Sequence, residues 1–134
     1  MRFLRFVLAQ RDADSGVESG PFEAAYRVRD SGETEAADRE ALAEHLLWFE
    51  QHLDTPSRFN RTTSKGFYRR KTRGIAWFKD TATEHVARMH AVAAILERYG
   101  RPVSMLSRVR VGYVVFEDDF QVVAEPFADA RRHS

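Results

Sequence analysis

Apolar residues recur at the spacing of a buried helix face in two stretches of the chain. The first stretch contains Leu42, Leu46, Phe49 and Leu53, and the second contains Val86, Met89, Ala93 and Leu96. Intervals of three and four residues place each set along one side of a helix. We therefore predict one helix that begins at Thr34 or Asp38 and ends near Leu53, and another from Ala82 to Tyr99. Gly100 ends the latter, because glycine accepts the left-handed conformation.

Other parts of the chain have the composition or the two-residue period of β-strands. Arg2–Ala9 is a short apolar run rich in strand-forming residues. In 103–115, apolar residues recur at a two-residue period, with mostly polar neighbours from 104 to 110. Glu117–Asp119 is typical of a turn, and Phe120–Ala124 of the strand that returns from it. Residues 74–78 indicate a further short strand or an extended lead-in to the following helix.

These elements predict an α+β fold with a small mixed or antiparallel sheet packed against two or three helices. The N-terminal strand and the C-terminal hairpin form the sheet, and the helix Ala82–Tyr99 covers one of its faces. The third helix is Phe22–Arg29, because Pro21 suits a first helical turn. A chain of 134 residues suits one domain, so we predict a single domain over 1–134 with a frayed tail at 128–134. The expected core residues are Leu46, Phe49, Val86, Met89, Leu96, Val111 and Val122.

Composition narrows the class of protein and its compartment. With 43% hydrophobic and 31% charged residues, the chain has the composition of a folded domain. It contains no cysteine, which excludes disulfides and thiolate metal sites. Arg2 and Arg5 interrupt the apolar start of the chain, and no apolar run approaches the length of a membrane span. We therefore predict a cytoplasmic protein without a membrane partner.

Local motifs of catalysis and cofactor binding are missing from the sequence. The glycines have neither dinucleotide-binding nor phosphate-loop spacing, and neither HExxH nor GxSxG occurs. His45 and His52 are two helical turns apart, too far to bind one metal ion directly. Three consecutive acids at 117–119 are more typical of a turn than of an ion site. The sequence predicts no cofactor and no metal, and it leaves open whether the protein is an enzyme.

Charge is distributed unevenly along a chain whose net charge is only +1. Residues 12–54 contain twelve acidic residues and three arginines, whereas 55–79 contains eight basic residues and no acidic one. Basic side chains neutralise phosphates and aromatic rings stack on bases, so the segment 58–79 is a candidate polyanion-binding surface. The candidate contacts are Arg58, Arg61, Lys65, Arg69, Arg70, Lys71 and Arg73, with Phe67 and Tyr68 as stacking residues.

An ordinary solvated surface is the competing interpretation of this segment, with its arginines paired to Glu40, Glu44 and Glu50. Three classes of function remain. The first is a small non-catalytic binding or regulatory protein that contacts nucleic acid or an acidic protein through residues 58–79. The second is an enzyme assembled from scattered residues, and its candidates are Arg69, Arg70, His85 and Tyr113, with Tyr113 and Glu125 expected on facing strands. The third is a self-associating protein, a homo-oligomer whose C-terminal hairpin pairs with a second copy.

Overall fold

The computed structural model describes residues 1–9, 20–53 and 74–126. These residues form three helices and five strands, and the fold is α+β, as the sequence predicts. In chain order the elements are β1 (Phe3–Leu8), α1 (Pro21–Asp30), α2 (Ala36–His52), β2 (Ile75–Lys79), α3 (Thr83–Arg98), β3 (Val103–Arg108), β4 (Tyr113–Glu117) and β5 (Gln121–Glu125).

The five strands form one sheet in the order β3-β1-β2-β5-β4. β2 pairs antiparallel with β1, where Leu4 lies opposite Phe78, and with β5, where Trp77 lies opposite Val122. β4 and β5 form the C-terminal hairpin. The alternating stretch at 103–115, which we expected to be one strand, is thus two strands at opposite edges of the sheet.

Gly112 explains why this stretch is interrupted. The chain leaves β3 at Arg108 and enters β4 after Gly112, whose φ is +130°. A Cβ atom at Gly112 would lie 2.0 Å from the carbonyl oxygen of Glu125, so the backbones approach too closely for any side chain. Val111 lies in this connection and is only half-buried. Its predicted place in the core is wrong, because the two-residue period continues through a segment that is not a strand.

The chain is organised as two compact units. The sheet unit comprises Met1–Arg5, Asp54–Ala82 and Ser107–Ser134, and the helical unit comprises Phe6–Leu53 and Thr83–Leu106. The chain therefore passes from one unit to the other four times. The single domain over 1–134 stays a prediction, and the tail at 128–134 lies outside the described residues.

The core of the helical unit is formed by α1, α2 and α3. Its fully buried members include Ala25, Leu42, Leu46, Val92 and Leu96, with Leu8 and Val103 packed against them. The stripe predicted for α2 is confirmed at Leu42, Leu46 and Phe49, which are buried, whereas Leu53 follows the last helical residue and is half-buried. On α3, His85 occupies the buried position expected for Val86, which is half-buried. The stripe of α3 therefore begins one residue earlier than predicted, while Met89 and Leu96 are buried as expected.

Candidate functional site

The predicted polyanion-binding residues lie outside the described residues. They are Arg58, Arg61, Lys65, Arg69, Arg70, Lys71 and Arg73, with Phe67 and Tyr68. Of the same acid-free run, the structure describes residues 74–79. Trp77 and Phe78 are buried strand residues there, and the Lys79 ammonium lies 2.6 Å from the Glu117 carboxylate. This end of the run belongs to the sheet, so the candidate surface is restricted to residues 58–73.

The two units carry opposite formal charges. By sequence, the ranges of the sheet unit contain fourteen Lys and Arg against seven Asp and Glu, a net charge of +7. The ranges of the helical unit contain seven Lys and Arg against thirteen Asp and Glu, a net charge of −6. The excess of the sheet unit comes from its ranges outside the described residues, because its described residues contain five basic and five acidic side chains. An excess of this size attracts ligands of the opposite sign.

Acidic side chains of the helical unit are engaged by partners in the same unit. Ion pairs join Glu23 to Arg27, Asp30 to Arg29, Asp38 to Arg98 and Glu84 to Arg88. Glu50, an acid that the competing interpretation pairs with the basic segment, accepts a hydrogen bond from the Tyr26 hydroxyl at 3.1 Å. Burial, and then this hydrogen bond, raise the pKa of Tyr26. Part of the acidic charge is thus already engaged within the helical unit.

Asp38 connects the start of α2 to the end of α3. Its carboxylate accepts hydrogen bonds from the Tyr99 hydroxyl at 2.7 Å and from the Arg98 guanidinium at 2.5 Å. The bond from Tyr99, followed by the bond from Arg98, holds the pKa of Asp38 below its ordinary value. Neither Thr34 nor Asp38, the two residues predicted to begin α2, caps the helix with its side chain. The Asp38 carboxylate is engaged by α3, and the Thr34 hydroxyl donates to the carbonyl of Val28.

The C-terminal hairpin has the pairing and the turn that the sequence predicts. Tyr113 lies opposite Glu125, and the ladder is irregular between Val114 and Phe116. The Asp118 carboxylate accepts the backbone N–H groups of Phe120 at 2.8 Å and Gln121 at 2.9 Å, which fixes the turn. Tyr113 and Val114 are 64% and 49% exposed, so β4 presents apolar side chains to solvent.

A cluster of aromatic and basic side chains surrounds Trp48 where α2 meets α3. The Trp48 cluster consists of His45, Trp48, His52, His85 and Arg88. The His52 ring stacks on the Trp48 ring with centroids 4.5 Å apart, and the His85 ring contacts it edge-on at 4.7 Å. The guanidinium carbon of Arg88 lies 4.6 Å from the centroid of the same ring, which is cation–π geometry.

Two histidines of the Trp48 cluster donate to backbone carbonyls. His52 Nδ1 lies 2.9 Å from the Trp48 carbonyl oxygen, and His85 Nε2 lies 2.8 Å from that of His52. A carbonyl oxygen only accepts hydrogen bonds, so each of these ring nitrogens carries a proton. His85 is 3% exposed. It is therefore a buried hydrogen-bond donor.

The remaining histidine of the Trp48 cluster, His45, is hydrogen-bonded to Arg88. The Arg88 guanidinium donates to His45 Nδ1 at 3.3 Å and to the Glu84 carboxylate at 2.8 Å. Burial, and then the neighbouring charge of Arg88, lower the pKa of His45, and Glu44 acts in the opposite direction. Arg88 was not among the candidate residues predicted from the sequence. Its position four residues after Glu84 was the pattern that could have identified it, because residues at this spacing form ion pairs on one helix face.

The described residues contain no group of three His, Asp or Glu side chains placed to hold a metal ion. In the same part of the chain, no helix is long and apolar enough to cross a membrane. The sequence matches no family model, and no curated protein or solved structure is significantly similar to it.

Proposed function

We propose that this chain is a non-catalytic binding protein that contacts nucleic acid through its basic segment, residues 58–73. The observation that carries the proposal is the net charge of +7 on the sheet unit, against −6 on the helical unit. The basic segment supplies seven of the fourteen basic residues of the sheet unit and contains no acid. Such an excess favours a polyanionic ligand, because binding releases the counterions condensed on its phosphates.

Aromatic residues within the basic segment favour a single-stranded ligand. Phe67 and Tyr68 directly precede Arg69, Arg70 and Lys71. Aromatic rings stack on unpaired bases without regard to sequence, while adjacent cations follow the phosphates. We expect binding to single strands that depends little on base sequence.

Titration with labelled single-stranded and duplex oligonucleotides at several salt concentrations tests the proposal. We expect affinity to fall steeply as salt rises. Replacing Arg69, Arg70 and Lys71 with alanine should weaken binding to all sequences alike and reduce the salt slope by about three, one for each lost phosphate contact. Absence of binding at low salt would contradict the proposal.

Two further variants distinguish the role of the basic segment from that of positive charge elsewhere in the chain, and stacking from charge. Removing Arg27, Arg29 and Arg101 takes the same charge from the helical unit, and we expect it to change binding little. Replacing Phe67 and Tyr68 with alanine should weaken single-strand binding by about 1–3 kcal/mol for each stacked base and leave duplex binding unchanged. If both triple variants weaken binding equally, the basic segment has no special role.

An acidic protein is the alternative ligand for the same segment. Polyglutamate carries negative charge but has no bases for Phe67 and Tyr68 to stack on. We expect it to bind more weakly than a single-stranded oligonucleotide of equal charge, and binding should be insensitive to replacement of these two residues. Equal affinity for both polymers would favour an acidic protein over nucleic acid.

Self-association through the C-terminal hairpin is a second candidate, favoured by the exposed side chains of Tyr113 and Val114. In the strand order of the described sheet, β4 lies at an edge, and edge strands offer backbone groups for pairing. Sedimentation velocity from micromolar to near-millimolar protein tests this candidate. We expect Val114→Lys to reduce any dimer, whereas Leu47→Lys, at an exposed apolar position of the helical unit, should not.

A further inference from the structure

The Arg88 guanidinium is held in the Trp48 cluster by three groups. The Glu84 carboxylate accepts from Arg88 Nε at 2.8 Å, His45 Nδ1 accepts at 3.3 Å, and the Trp48 ring lies 4.6 Å away. Glu84 is on α3 with Arg88, whereas His45 and Trp48 are on α2. The contacts to His45 and Trp48 therefore connect the two helices, and the contact to Glu84 does not.

The hydrogen bond between Arg88 and His45 requires a neutral imidazole. A guanidinium can only donate, so His45 Nδ1 must be the acceptor and the ring proton must be on Nε2. A second proton would occupy Nδ1, remove the acceptor and place two cations at hydrogen-bond distance.

Few other charges act on His45. From α2, the neighbouring Glu44 favours the protonated ring, and from α3, Arg88 opposes it while Glu84 holds the far side of Arg88. α1, which also packs on α2, contributes Tyr26, which donates to Glu50, and Arg29, which pairs with Asp30. Arg88 is thus the charged group that both contacts His45 and opposes its protonation.

We propose that the Trp48 cluster is a pH-sensitive clasp, in which protonation of His45 releases Arg88 from the Trp48 ring and loosens α3 from α2. Glu84 determines where the guanidinium goes, because its carboxylate already accepts from Arg88 Nε at 2.8 Å. Arg88 turns towards Glu84 and solvent, and Trp48 loses its cation–π contact. The His45 ring is half-buried, and burial disfavours the charged imidazole relative to the neutral form that accepts from Arg88. The clasp does not depend on the proposed nucleic-acid binding.

Trp48 fluorescence provides the main test. The chain contains two tryptophans, so Trp77→Phe leaves Trp48 as the only one. In this background we expect the emission of Trp48 to change in one transition below pH 6.5, the ordinary pKa of histidine. His45→Gln keeps a hydrogen-bond acceptor but cannot titrate, and it should abolish the transition.

His52 provides the matched control, because it is the histidine whose ring stacks on Trp48. We expect His52→Gln to retain the transition below pH 6.5. If the transition persists in His45→Gln and disappears in His52→Gln, stacked His52 is the sensor and the clasp is refuted.

A second measurement applies even if the fluorescence variants fold poorly. Proton NMR of the histidine ring C–H groups in the unmodified chain reports the pKa of each histidine. We expect the pKa of His45 to lie below its ordinary value and to rise towards it in Arg88→Gln. An unchanged pKa of His45 in Arg88→Gln would show that Arg88 and His45 are not coupled, which would overturn the proposal.

Discussion

The helical unit and the sheet unit use charge in different ways. In the helical unit, the described ion pairs place Arg27, Arg29, Arg88 and Arg98 against carboxylates of the same unit. The sheet unit contains twice as many basic as acidic residues, so its carboxylates cannot neutralise its basic side chains. The difference shows that a net charge near zero can conceal an uneven distribution of charge along the chain. The excess positive charge of the sheet unit can be balanced by acids of the same chain, by solvent ions or by a ligand.

The largest effect is expected in the core of the helical unit. Leu96 is fully buried, so Leu96→Ala should reduce the free energy of unfolding by about 2–5 kcal/mol through lost contacts and the remaining cavity. Leu47 is 54% exposed, and Leu47→Ala should stay within about 0.5 kcal/mol. Urea denaturation followed through Trp48 measures both. A loss of equal size at the two positions would contradict the core that we describe.

The corresponding weak point of the sheet unit is a backbone position. Gly112→Ala should destabilise by about 1–3 kcal/mol, because alanine is strained at this φ and its Cβ meets the Glu125 carbonyl. Gly32 has no positive φ and no atom within 4 Å of a built Cβ, so Gly32→Ala should stay within about 1 kcal/mol. Denaturation followed through Trp77 of the sheet unit measures both. Equal stability of the two variants would contradict the close approach at Gly112.

A smaller effect distinguishes the ion pairs of the two units. The Lys79 side chain is only 13% exposed in its pair with Glu117, whereas Arg27 and Glu23 are 71% and 63% exposed. Double-mutant cycles with Lys79→Met and Glu117→Gln should give a coupling of about 1 kcal/mol, reduced by the exposure of Glu117. The cycle with Arg27→Met and Glu23→Gln should give about 0.3 kcal/mol. The opposite order would show that the burial of Lys79 does not strengthen its interaction with Glu117.

The smallest effect concerns Asp38 in acid. Because its pKa is lowered in the folded chain, its carboxylate stabilises the fold above pH 3.8, and this stabilisation is lost as the pH falls through the lowered pKa. Tyr99→Phe removes the hydrogen bond that lowers the pKa most, so the pKa of Asp38 should rise more than in Arg98→Gln. Carboxyl NMR titration of both variants measures this order. A larger rise in Arg98→Gln would show that charge outweighs the hydrogen bond.

Periodicity and turn chemistry were sufficient to predict the three helices, β1 and β5. The stripe on α2, the end of α3 at Gly100 and the turn at Asp118 depend on neighbouring residues, and the structure contains each of them. The order of strands could not be predicted, because β3 and β4 share one alternating pattern. Only the contact of Gly112 with the backbone of Glu125, thirteen residues away, separates them.

The two candidate sites differ in whether one sequence is enough to identify them. The basic segment was evident from composition, because a run of like charge is visible without a structure. The clasp was not, since His45 and Arg88 are far apart in sequence and each is ordinary in its own helix. The burial of His85 instead of Val86 was not predicted for the same reason. A buried histidine is predictable only when its hydrogen-bond partner is known, and the partner here is the carbonyl of His52 on another helix.

Strand β1 has a consequence for the order of events during synthesis. It leaves the ribosome well before its neighbours in the sheet, β2 and β3, which begin at Ile75 and Val103. At about 5–20 residues per second, the apolar strand waits several seconds for its first partner and longer for its second. Arg2, just before the strand, and Arg5 within it add charge to a segment that would otherwise be prone to aggregate while it is unpaired. The time that β1 spends without a partner is therefore set by the length of chain that separates it from β2.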